Sequence, residues 1–532
     1  MISVKIAGFF NEIKNSSKYT VIYGAGHDGR LLADVALHFG CHIACFADKG
    51  TYLYGLSYKG IKIVSIYEAL LNAEVIIISI AIKAVEEEIV SVIDDYYLNT
   101  TKPKVIKKCD IPFETIDCLK LFAENRIYTY SDFIKNLNMC NASTGDNSIK
   151  KSHIHEGNLA RQRVSNERKE LIEIGRRHWK GTNVLIILPV DNLGGGMKVV
   201  INEAQKMVEM GVNVSIYNLE SNRTGFEQYN WASDLVAIYG EKISDFIDVA
   251  YNFDVICSTF YASVKHCINL SKKTKIAYYV QDFEPYFFDY NSYNYLEALH
   301  SYTIVGNNIL VTKTKWNYNM VKENTGAECV IIGPSVDIDE YRPQQKVYKS
   351  NKIVICAMIR PESPRRSPYL TLDVLEQVSE IYGDKIEIFV FGSDPSQRLF
   401  DYTFWNLFSP KTKIKNLGIL SREDVATVLS SSDIFVDLSE YQAMGLTAME
   451  AMLSGCATIV PKNGGCTDFA KNEKNALVIN TNCRQLCVEA ICRLVDDRKT
   501  RDLLSKNAII DICKFYPEKA AFNFLDAIFP AT

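Results

Sequence analysis

Residues 433–479 constrain the fold most, because they read as strand, loop, helix, strand and glycine loop in close succession. Residues 433–438 form a short apolar run typical of a buried parallel strand. Residues 446–453 are strong helix formers, and Gly455 stands where a helix ends before the next predicted strand. Two strands joined by such a helix form a βαβ unit. We therefore expect a parallel α/β sheet that binds ligands at the carboxyl ends of its strands.

Several candidate ligand groups gather at that edge of the sheet. Glu450 lies one turn into the predicted helix, where its carboxylate can accept hydrogen bonds from sugar hydroxyls, and Gln442 precedes it by eight positions. Gly464 and Gly465 open the next loop, and two glycines let backbone N–H groups approach a phosphate closely. A carboxylate that accepts hydrogen bonds from hydroxyl groups, next to N–H groups that bind phosphate, is typical of a nucleotide-sugar site.

The run Ser439–Gly455 resembles the donor-site motif of glycosyltransferase family four, whose members have the GT-B fold of two Rossmann-like domains facing a cleft. The family usually has two Glu residues eight apart around a Gly-Leu pair. This chain keeps the second as Glu450 and has Gln442 in place of the first, so this position can hydrogen-bond a sugar but carries no charge. The resemblance also implies donor contacts from residues between these two, namely Gly445, Leu446 and Thr447.

Residues 1–115 read as a separate, small Rossmann-type unit. An apolar run leads into a turn with Gly24, Gly26 and Gly29, and Asp48 follows the last glycine by nineteen positions, which fits the dinucleotide fingerprint. The unit resembles the nucleotide-sugar-binding amino-terminal domain of hexapeptide-type sugar acyltransferases and a carboxy-terminal domain of some methyltransferases. A nucleotide or sugar ligand and a pure docking role stay open, since the glycines also suit plain packing of a helix on a strand.

Residues 116–181 connect this unit to the rest of the chain. Residues 138–157 have little apolar content and read as a linker, whereas residues 158–179 predict one charged helix with a solvated face. An alternative role for this helix is a peripheral contact with a membrane or a lipid-linked acceptor. The cations for that contact are Arg161, Arg163, Arg176, Arg177 and Lys180.

Residues 182–345 predict an acceptor-side half. An apolar strand runs into three glycines, of which Gly195 and Gly196 correspond to the family's glycine loop facing the donor phosphates. A P-loop is excluded because no Gly-Lys-Ser/Thr follows. A later strand delivers Asp282 and Glu284 beside aromatic residues, and we expect the acids to orient sugar hydroxyls while aromatic faces stack on sugar rings.

The run Gln281–Phe288 carries a second resemblance. It is similar to a subgroup of bacterial rhamnosyltransferases that build rhamnan-containing surface polysaccharides. That resemblance implies dTDP-L-rhamnose as the donor. UDP- and GDP-sugars stay open, because no residue identified in the sequence reads the base or the sugar.

Residues 346–532 predict the donor-binding half. Arg360 with Arg365 or Arg366 resembles the cations that hold the donor diphosphate in the family, and forked guanidinium groups suit a doubly negative ligand. Gly392 marks a tight turn after an apolar strand. Because arginines and N–H dipoles take the place of a metal in such sites, we expect neither a metal ion nor a cofactor. The resemblance further implies retention of the anomeric configuration.

Composition excludes other classes of protein. The 59 basic and 63 acidic residues leave a net charge of −4, so nothing indicates a nucleic-acid partner. The 15 cysteines are odd in number and several lie in apolar runs, which favours reduced thiols in a cytosolic protein. The most apolar run, Val75–Ile82, is shorter than the about 20 residues that span a bilayer. We expect a cytoplasmic protein with at most peripheral association at the inner face of the plasma membrane.

The sequence thus predicts an α/β protein with a GT-B fold and an additional amino-terminal Rossmann-like domain. The predicted activity is transfer of a sugar, with L-rhamnose the best candidate, from a nucleotide donor to a growing surface glycan or lipid-linked oligosaccharide. Two alternatives stay open. Gln442 favours a non-catalytic nucleotide-sugar-binding or scaffold protein, and the segment Gly24–Asp48 favours an NAD-dependent sugar-nucleotide oxidoreductase.

Overall fold

The computed structural model divides the chain into two compact units, Met1–Met139 with Ala357–Leu420, and Cys140–Cys356 with Ser421–Thr532. The residues that it describes are 12–15, 19–25, 29, 32–33, 36, 41–49, 54, 57–58, 61–79, 83–98, 101–107, 148–190, 194–227, 235–270, 274–344, 352–393, 398–399, 402–403 and 414–530.

The first unit contains a six-stranded sheet near the amino terminus. The strand Thr20–Tyr23 lies at its centre and pairs in parallel with a strand on each side, an order typical of doubly wound sheets. Helices Ile66–Leu70 and Lys83–Tyr96 accompany the sheet. In order across the sheet, the strands are Ser57–Tyr58, Ile61–Val64, Ile43–Ala47, Thr20–Tyr23, Val75–Ile78 and Lys104–Ile106.

The remainder of the first unit comes from the middle of the chain. Strands Ile386–Phe391 and Ile414–Asn416 pair in parallel, and a short antiparallel pair joins Arg398–Leu399 to Tyr402–Thr403. Helix Pro368–Tyr382 packs its Tyr369 and Leu370 side chains against the core of the amino-terminal sheet. The two segments of this unit therefore share apolar packing.

The second unit contains a seven-stranded sheet in which every neighbouring pair of strands is parallel. Its central strands are apolar along their whole length because helices cover both faces of the sheet. In order across the sheet, the strands are Cys329–Ile331, Asn308–Thr312, Lys275–Val280, Val255–Ser258, Asn183–Ile187, Asn213–Leu219 and Val236–Gly240.

The predicted βαβ unit is present in the second unit. Strands Ile434–Val436, Ala457–Pro461 and Leu477–Ile479 are parallel neighbours, and the motif helix, Leu446–Leu453, joins the first two. Strand Ile353–Met358 spans the division between the units, since its first four residues belong to the second unit and its last two to the first.

Helices form the rest of the second unit. The glycine-loop helix, Gly195–Glu209, begins at the second of the three glycines, and the last three helices of the chain pack in the same unit. The α-helices of this unit in the described residues are Ser148–Trp179, Gly195–Glu209, Arg223–Glu227, Ile247–Ala250, Tyr261–Val264, Tyr293–Ser301, Lys315–Thr325, Arg422–Ser431, Leu446–Leu453, Arg484–Asp496, Arg498–Ile512 and Pro517–Ile528.

The helix Ser148–Trp179 begins ten residues earlier than the sequence predicts. The linker assignment is therefore wrong for residues 148–157, while residues 138–147 lie outside the described residues. Tertiary contacts explain the difference, because the polar segment packs on the carboxyl-terminal helices and His153 is buried there. The face of this helix is not simply solvated either, since Arg168 donates hydrogen bonds to Asp339 and Glu518.

Candidate nucleotide-sugar site

Glu450 lies on the motif helix and is 5% exposed. It lines a cleft in the second unit together with Lys198 of the glycine-loop helix, Tyr341, Arg422 and Leu446. Burial raises the pKa of Glu450 from its ordinary value of 4.5 to about 7, although the cations Lys198 and Arg422 and the Tyr341 hydroxyl oppose the rise. Near neutral pH this carboxyl group therefore exchanges between a neutral and a charged form.

Two helix N-termini lie close to one another beside Glu450. A Cβ atom built on Gly195 would lie 3.4 Å from Cδ2 of Leu446, and each of these residues begins its helix. The first N–H groups of a helix have no partner within the helix and form the positive end of its dipole. The paired helix starts are therefore suited to a phosphate group. The structure brings the predicted Gly195–Gly196 loop together with the Gly445–Thr447 helix start.

Gly196 connects this arrangement to the run that begins at Gln281. A Cβ atom at position 196 would lie 2.2 Å from Oε1 of Gln281, so a larger residue there would displace the Gln281 side chain. The Gln281 side chain is held in place because its Nε2 donates to the carbonyl of Thr259 at 3.2 Å. The backbone carbonyl of Gln281 accepts from Asn317 Nδ2, also at 3.2 Å. The glycine loop and the run at Gln281 thus meet at one edge of the seven-stranded sheet, next to the motif helix, which belongs to another sheet.

Gln442 is buried, and its amide nitrogen is committed to protein partners. Nε2 donates to Oδ2 of Asp437 and to Oγ of Ser439, both at 2.9 Å. A glutamate at this position would place a second carboxylate beside Asp437. The presence of an amide at this position therefore fits its surroundings, and only the carbonyl oxygen of its side chain is left for a ligand.

Close approach of two chain segments explains Gly464 and Gly465. Cβ atoms at these positions would lie 2.3 Å from the Gln442 carbonyl oxygen and 2.1 Å from the Ala443 carbonyl oxygen, respectively. The Gly465 N–H donates to the carbonyl of Gln442 at 2.7 Å. Since that N–H is used within the protein, binding of phosphate by this glycine pair stays a prediction.

Asp282 and Glu284 are both buried and support the chain around them. Oδ1 of Asp282 accepts from the N–H of Phe283 at 2.9 Å, and Oε2 of Glu284 accepts from the N–H of Tyr261 at 2.7 Å. Burial raises the pKa of Glu284 from 4.5 to about 8. Phe283 is fully buried and stacks on Tyr302 in the core. Phe283 is therefore not exposed to a ligand, and the predicted roles of Asp282 and Glu284 in orienting sugar hydroxyls stay predictions.

Sequence reasoning missed the turn that follows strand Asn308–Thr312. The Thr314 hydroxyl donates to the carbonyl of Ala443 at 2.8 Å, and the N–H of Lys315 donates to Asp468 at 2.7 Å. Trp316 stacks on Tyr441 with ring centroids 5.1 Å apart. These contacts hold the loop that carries Gln442, and no local sequence pattern reveals them because the partners are more than 120 residues apart.

A second missed feature is a buried polar cluster under the glycine-loop helix. Glu203 is fully buried, forms an ion pair with Lys313, and accepts hydrogen bonds from Ser335 and, at 2.9 Å, from the hydroxyl of Tyr279. Burial lowers the pKa of Lys313. Ser335 also lines the cleft. Because Glu203 lies on the glycine-loop helix, the cluster holds that helix, whose first residue, Gly195, lies beside Leu446.

The predicted cations of the first unit lie after strand Ile353–Met358. Arg360 pairs with Glu362 at 3.2 Å, and Arg365 and Arg366 lie in a short turn before helix Pro368–Tyr382. Gly392 has φ 96° and donates its N–H to the carbonyl of Gly418 at 2.8 Å, as a tight turn requires. Phosphate binding by these arginines stays a prediction.

In the amino-terminal sheet the predicted fingerprint is only partly described, because Gly26 lies outside the described residues. Oδ2 of Asp48 accepts from the N–H of Ala25 at 2.8 Å, so this carboxylate binds the turn itself. A Cβ atom at Gly29 would lie 1.8 Å from the carbonyl oxygen of Gly24, which explains the glycine by packing. A ligand and a docking role both stay open for this sheet.

Two kinds of feature are absent from the residues that the structure describes. No group of three or more His, Cys, Asp or Glu side chains there is placed to hold a metal ion. No helix there is long and apolar enough to cross a membrane.

Similar solved structures identify the fold as GT-B. The chain resembles Anabaena Alr3699/HepE in complex with UDP and glucose, with a TM-score of 0.56 at 15% identity over 66% of this chain and 100% of the other. It also resembles a glycosyltransferase from Rickettsia africae, with a TM-score of 0.55 at 16% identity over 66% and 99% of the two chains. The predicted fold is confirmed, and the amino-terminal parallel sheet fits an additional Rossmann-like domain.

Residues 337–511, which contain the motif helix, match the model of the family Glycosyl transferases group 1. The chain is 30% identical over 92 residues to the uncharacterized glycosyltransferase YqgM of Bacillus subtilis, covering 17% of this chain and 26% of that protein. It is 26% identical over 188 residues to an Escherichia coli UDP-Gal:alpha-D-GlcNAc-diphosphoundecaprenol alpha-1,3-galactosyltransferase, covering 33% and 47%. The chain thus spans less than half the length of these curated relatives.

Proposed function

We propose that this protein is a glycosyltransferase that moves a sugar from a nucleoside diphosphate to a glycan acceptor. The observation that carries the proposal is the pair of neighbouring helix starts at Gly195 and Leu446, with the buried carboxyl of Glu450 one turn further along. The match of residues 337–511 to a glycosyltransferase family supports it. Similar structures solved with UDP or UDP-glucose support this donor class.

In the proposed reaction the helix starts stabilise the negative charge that grows on the leaving diphosphate. Glu450, in its charged form, accepts hydrogen bonds from hydroxyl groups of the donor, and the side-chain carbonyl of Gln442 adds a neutral acceptor. We further propose that the reaction needs no metal and no cofactor and retains the anomeric configuration. Orientation of the acceptor hydroxyl supplies the rest of the rate enhancement.

For the donor sugar we propose L-rhamnose carried by dTDP, on the similarity of the run Gln281–Phe288 to rhamnosyltransferases. For the acceptor we propose a growing surface glycan or a lipid-linked oligosaccharide at the inner face of the plasma membrane. The Escherichia coli relative, whose name gives a diphosphoundecaprenol-linked substrate, supports an acceptor of this kind.

The test is a binding titration of the full chain against dTDP-L-rhamnose, UDP-glucose, UDP-galactose, GDP-mannose and NAD. We expect saturable binding of one sugar nucleotide and its loss, by at least tenfold, in Glu450→Ala. The matched control is Glu440→Ala, an exposed glutamate of the same motif, which should bind like the wild type. Failure of every sugar nucleotide to bind, or equal binding by the two variants, would contradict the proposed site. Binding of NAD alone would favour the oxidoreductase.

The amide at position 442 favours one further candidate, a protein that binds a nucleotide sugar without transferring it. Incubation of the bound donor with diphosphoundecaprenol-linked acceptors distinguishes the transferase from the binding protein. Release of the free nucleoside diphosphate together with a longer glycan establishes the transferase, whereas donor binding without any product establishes the binding protein.

A further inference from the structure

Exposed aromatic side chains cluster next to the candidate site. We call them the aromatic ledge, and its members are Tyr286, Phe287, Tyr290 and Tyr293, which are 50%, 45%, 78% and 77% exposed. They follow strand Lys275–Val280 on the turn Glu284–Phe287 and the start of helix Tyr293–Ser301. Large apolar groups exposed together in this way mark an interaction surface.

Buried rings support the ledge from beneath. Tyr290 packs edge-on against the buried Tyr295 with centroids 5.1 Å apart, and Tyr286 packs edge-on against the buried Phe283 at 5.0 Å. Ring contacts of this geometry stabilise each pair beyond simple burial of area. Tyr286 and Tyr290 are therefore held in defined positions before any partner binds.

The ledge is continuous with the candidate site. The ring of Tyr286 lies 5.7 Å from the ring of Tyr441, and Tyr441 immediately precedes Gln442 on the loop before the motif helix. A ligand that extends away from the reacting position along this side of the second unit therefore meets Tyr286 first. The other members of the ledge come next along the turn and helix that carry Tyr286.

The charges around the ledge select the kind of partner. Residues 281–302 contain no lysine or arginine, and of their four acidic residues Asp282 and Glu284 are buried, whereas Asp289 is exposed. The neighbouring Lys265 pairs with Glu297. An anionic membrane surface attracts segments rich in lysine and arginine, so this region lacks the charge for it. A neutral sugar chain fits instead, because its rings present C–H faces to aromatic rings and hydroxyl groups to water and carboxylates.

We propose that the aromatic ledge binds the neutral sugar rings of the acceptor chain on the side away from the reacting end. This inference rests on the proposed transferase function and adds the acceptor class and its place. The ledge then acts by holding a longer acceptor more tightly than a short one, since each added ring covers a further aromatic face.

The experiment measures binding of the full chain to neutral oligosaccharides of one to six units built from rhamnose, glucose, galactose or N-acetylglucosamine. We expect affinity to rise with chain length in one of these series. The double variant Tyr290→Ala with Tyr293→Ala should lose at least tenfold in affinity for the longest member. Tyr67→Ala, which removes an exposed tyrosine of the first unit, should leave this affinity unchanged.

Absence of binding at every length, or equal binding by the double variant, would overturn the proposal. So would two other effects of the double variant. One is loss of binding to phosphatidylcholine–phosphatidylglycerol vesicles, which would assign the ledge to a membrane. The other is loss of a dimer seen by sedimentation, which would assign it to a second copy. Titration of the same preparations with the donor distinguishes this proposal from the proposed transferase function. If only the ledge proposal is wrong, donor binding is still observed.

Discussion

The buried carboxyl group of Glu450 makes the stability of this protein depend on pH in a defined direction. The folded state holds this proton up to about pH 7, whereas the unfolded chain releases it near the ordinary pKa of 4.5. The free energy of unfolding therefore falls as pH rises between these values and levels off above them. The difference between the two pKa values corresponds to about 3 kcal/mol at 25 °C.

Glu450→Gln removes this titration while keeping the size and polarity of the side chain. We expect the variant to gain stability relative to the wild type by about 2.5 kcal/mol between pH 5 and pH 8. In a unit of this size the gain corresponds to a rise in melting temperature of about 5 °C. The assay is thermal melting of both proteins at pH 5, 6, 7 and 8, with the exposed Glu440→Gln as the matched control.

The result that refutes this reasoning is a stability difference that stays the same across the pH range. It would mean that Glu450 is ionised in the folded protein throughout. Donor binding gives an independent check, because the charged form is the better acceptor of hydrogen bonds. We expect wild-type affinity for the donor to weaken below pH 7, and the weaker affinity of Glu450→Gln to be independent of pH.

Three further changes have defined outcomes. Gln442→Glu places a buried carboxylate beside the half-buried carboxylate of Asp437, so we expect a lower melting temperature at pH 8 that recovers toward pH 5, with Gln442→Met showing a smaller dependence on pH. Gly465→Ala forces a methyl group against a backbone carbonyl and should weaken donor binding at least tenfold in a titration, whereas Gly306→Ala, which meets no atom within 4 Å, should not. Lys313→Met leaves Glu203 buried without its partner and should lower stability by roughly 3–5 kcal/mol in urea unfolding, whereas replacing both residues with apolar ones should restore most of it.

The βαβ unit around the motif helix was predictable because each of its elements has a strong local signal. An apolar run, a run of helix formers and a terminal glycine agree with one another, and strands Ile434–Val436 and Ala457–Pro461 lie where these signals place them. The glycine-loop helix also follows its predicted strand, but it begins at Gly195, inside the glycine run that the sequence assigned to the loop. The two helix starts belong to different sheets, so their approach was expected from the resemblance to the GT-B fold and not from the order of strands within one sheet.

The environment of each acid was not predictable in the same way. Asp282 and Glu284 have the residue types of ligand groups, yet their carboxylates accept backbone N–H groups within the protein. Whether an acid at a strand end points outward or inward depends on which backbone donors lie beside it. In this chain that donor for Glu284 is Tyr261, 23 residues away.

The sequence by itself determined the α/β class, the parallel strands and the position of the motif helix, because these depend on hydrophobic patterns and propensities within short windows. Only the tertiary structure decided that Gln442 is tied to Asp437, that Glu203 and Lys313 form a buried pair under the glycine-loop helix, and that Tyr286 rather than Phe283 is exposed beside the site. Each of these depends on contacts between side chains or on burial, and the pair of Glu203 and Lys313 spans 110 residues. Burial and pairing of polar groups arise from the packed environment, which short sequence windows do not encode.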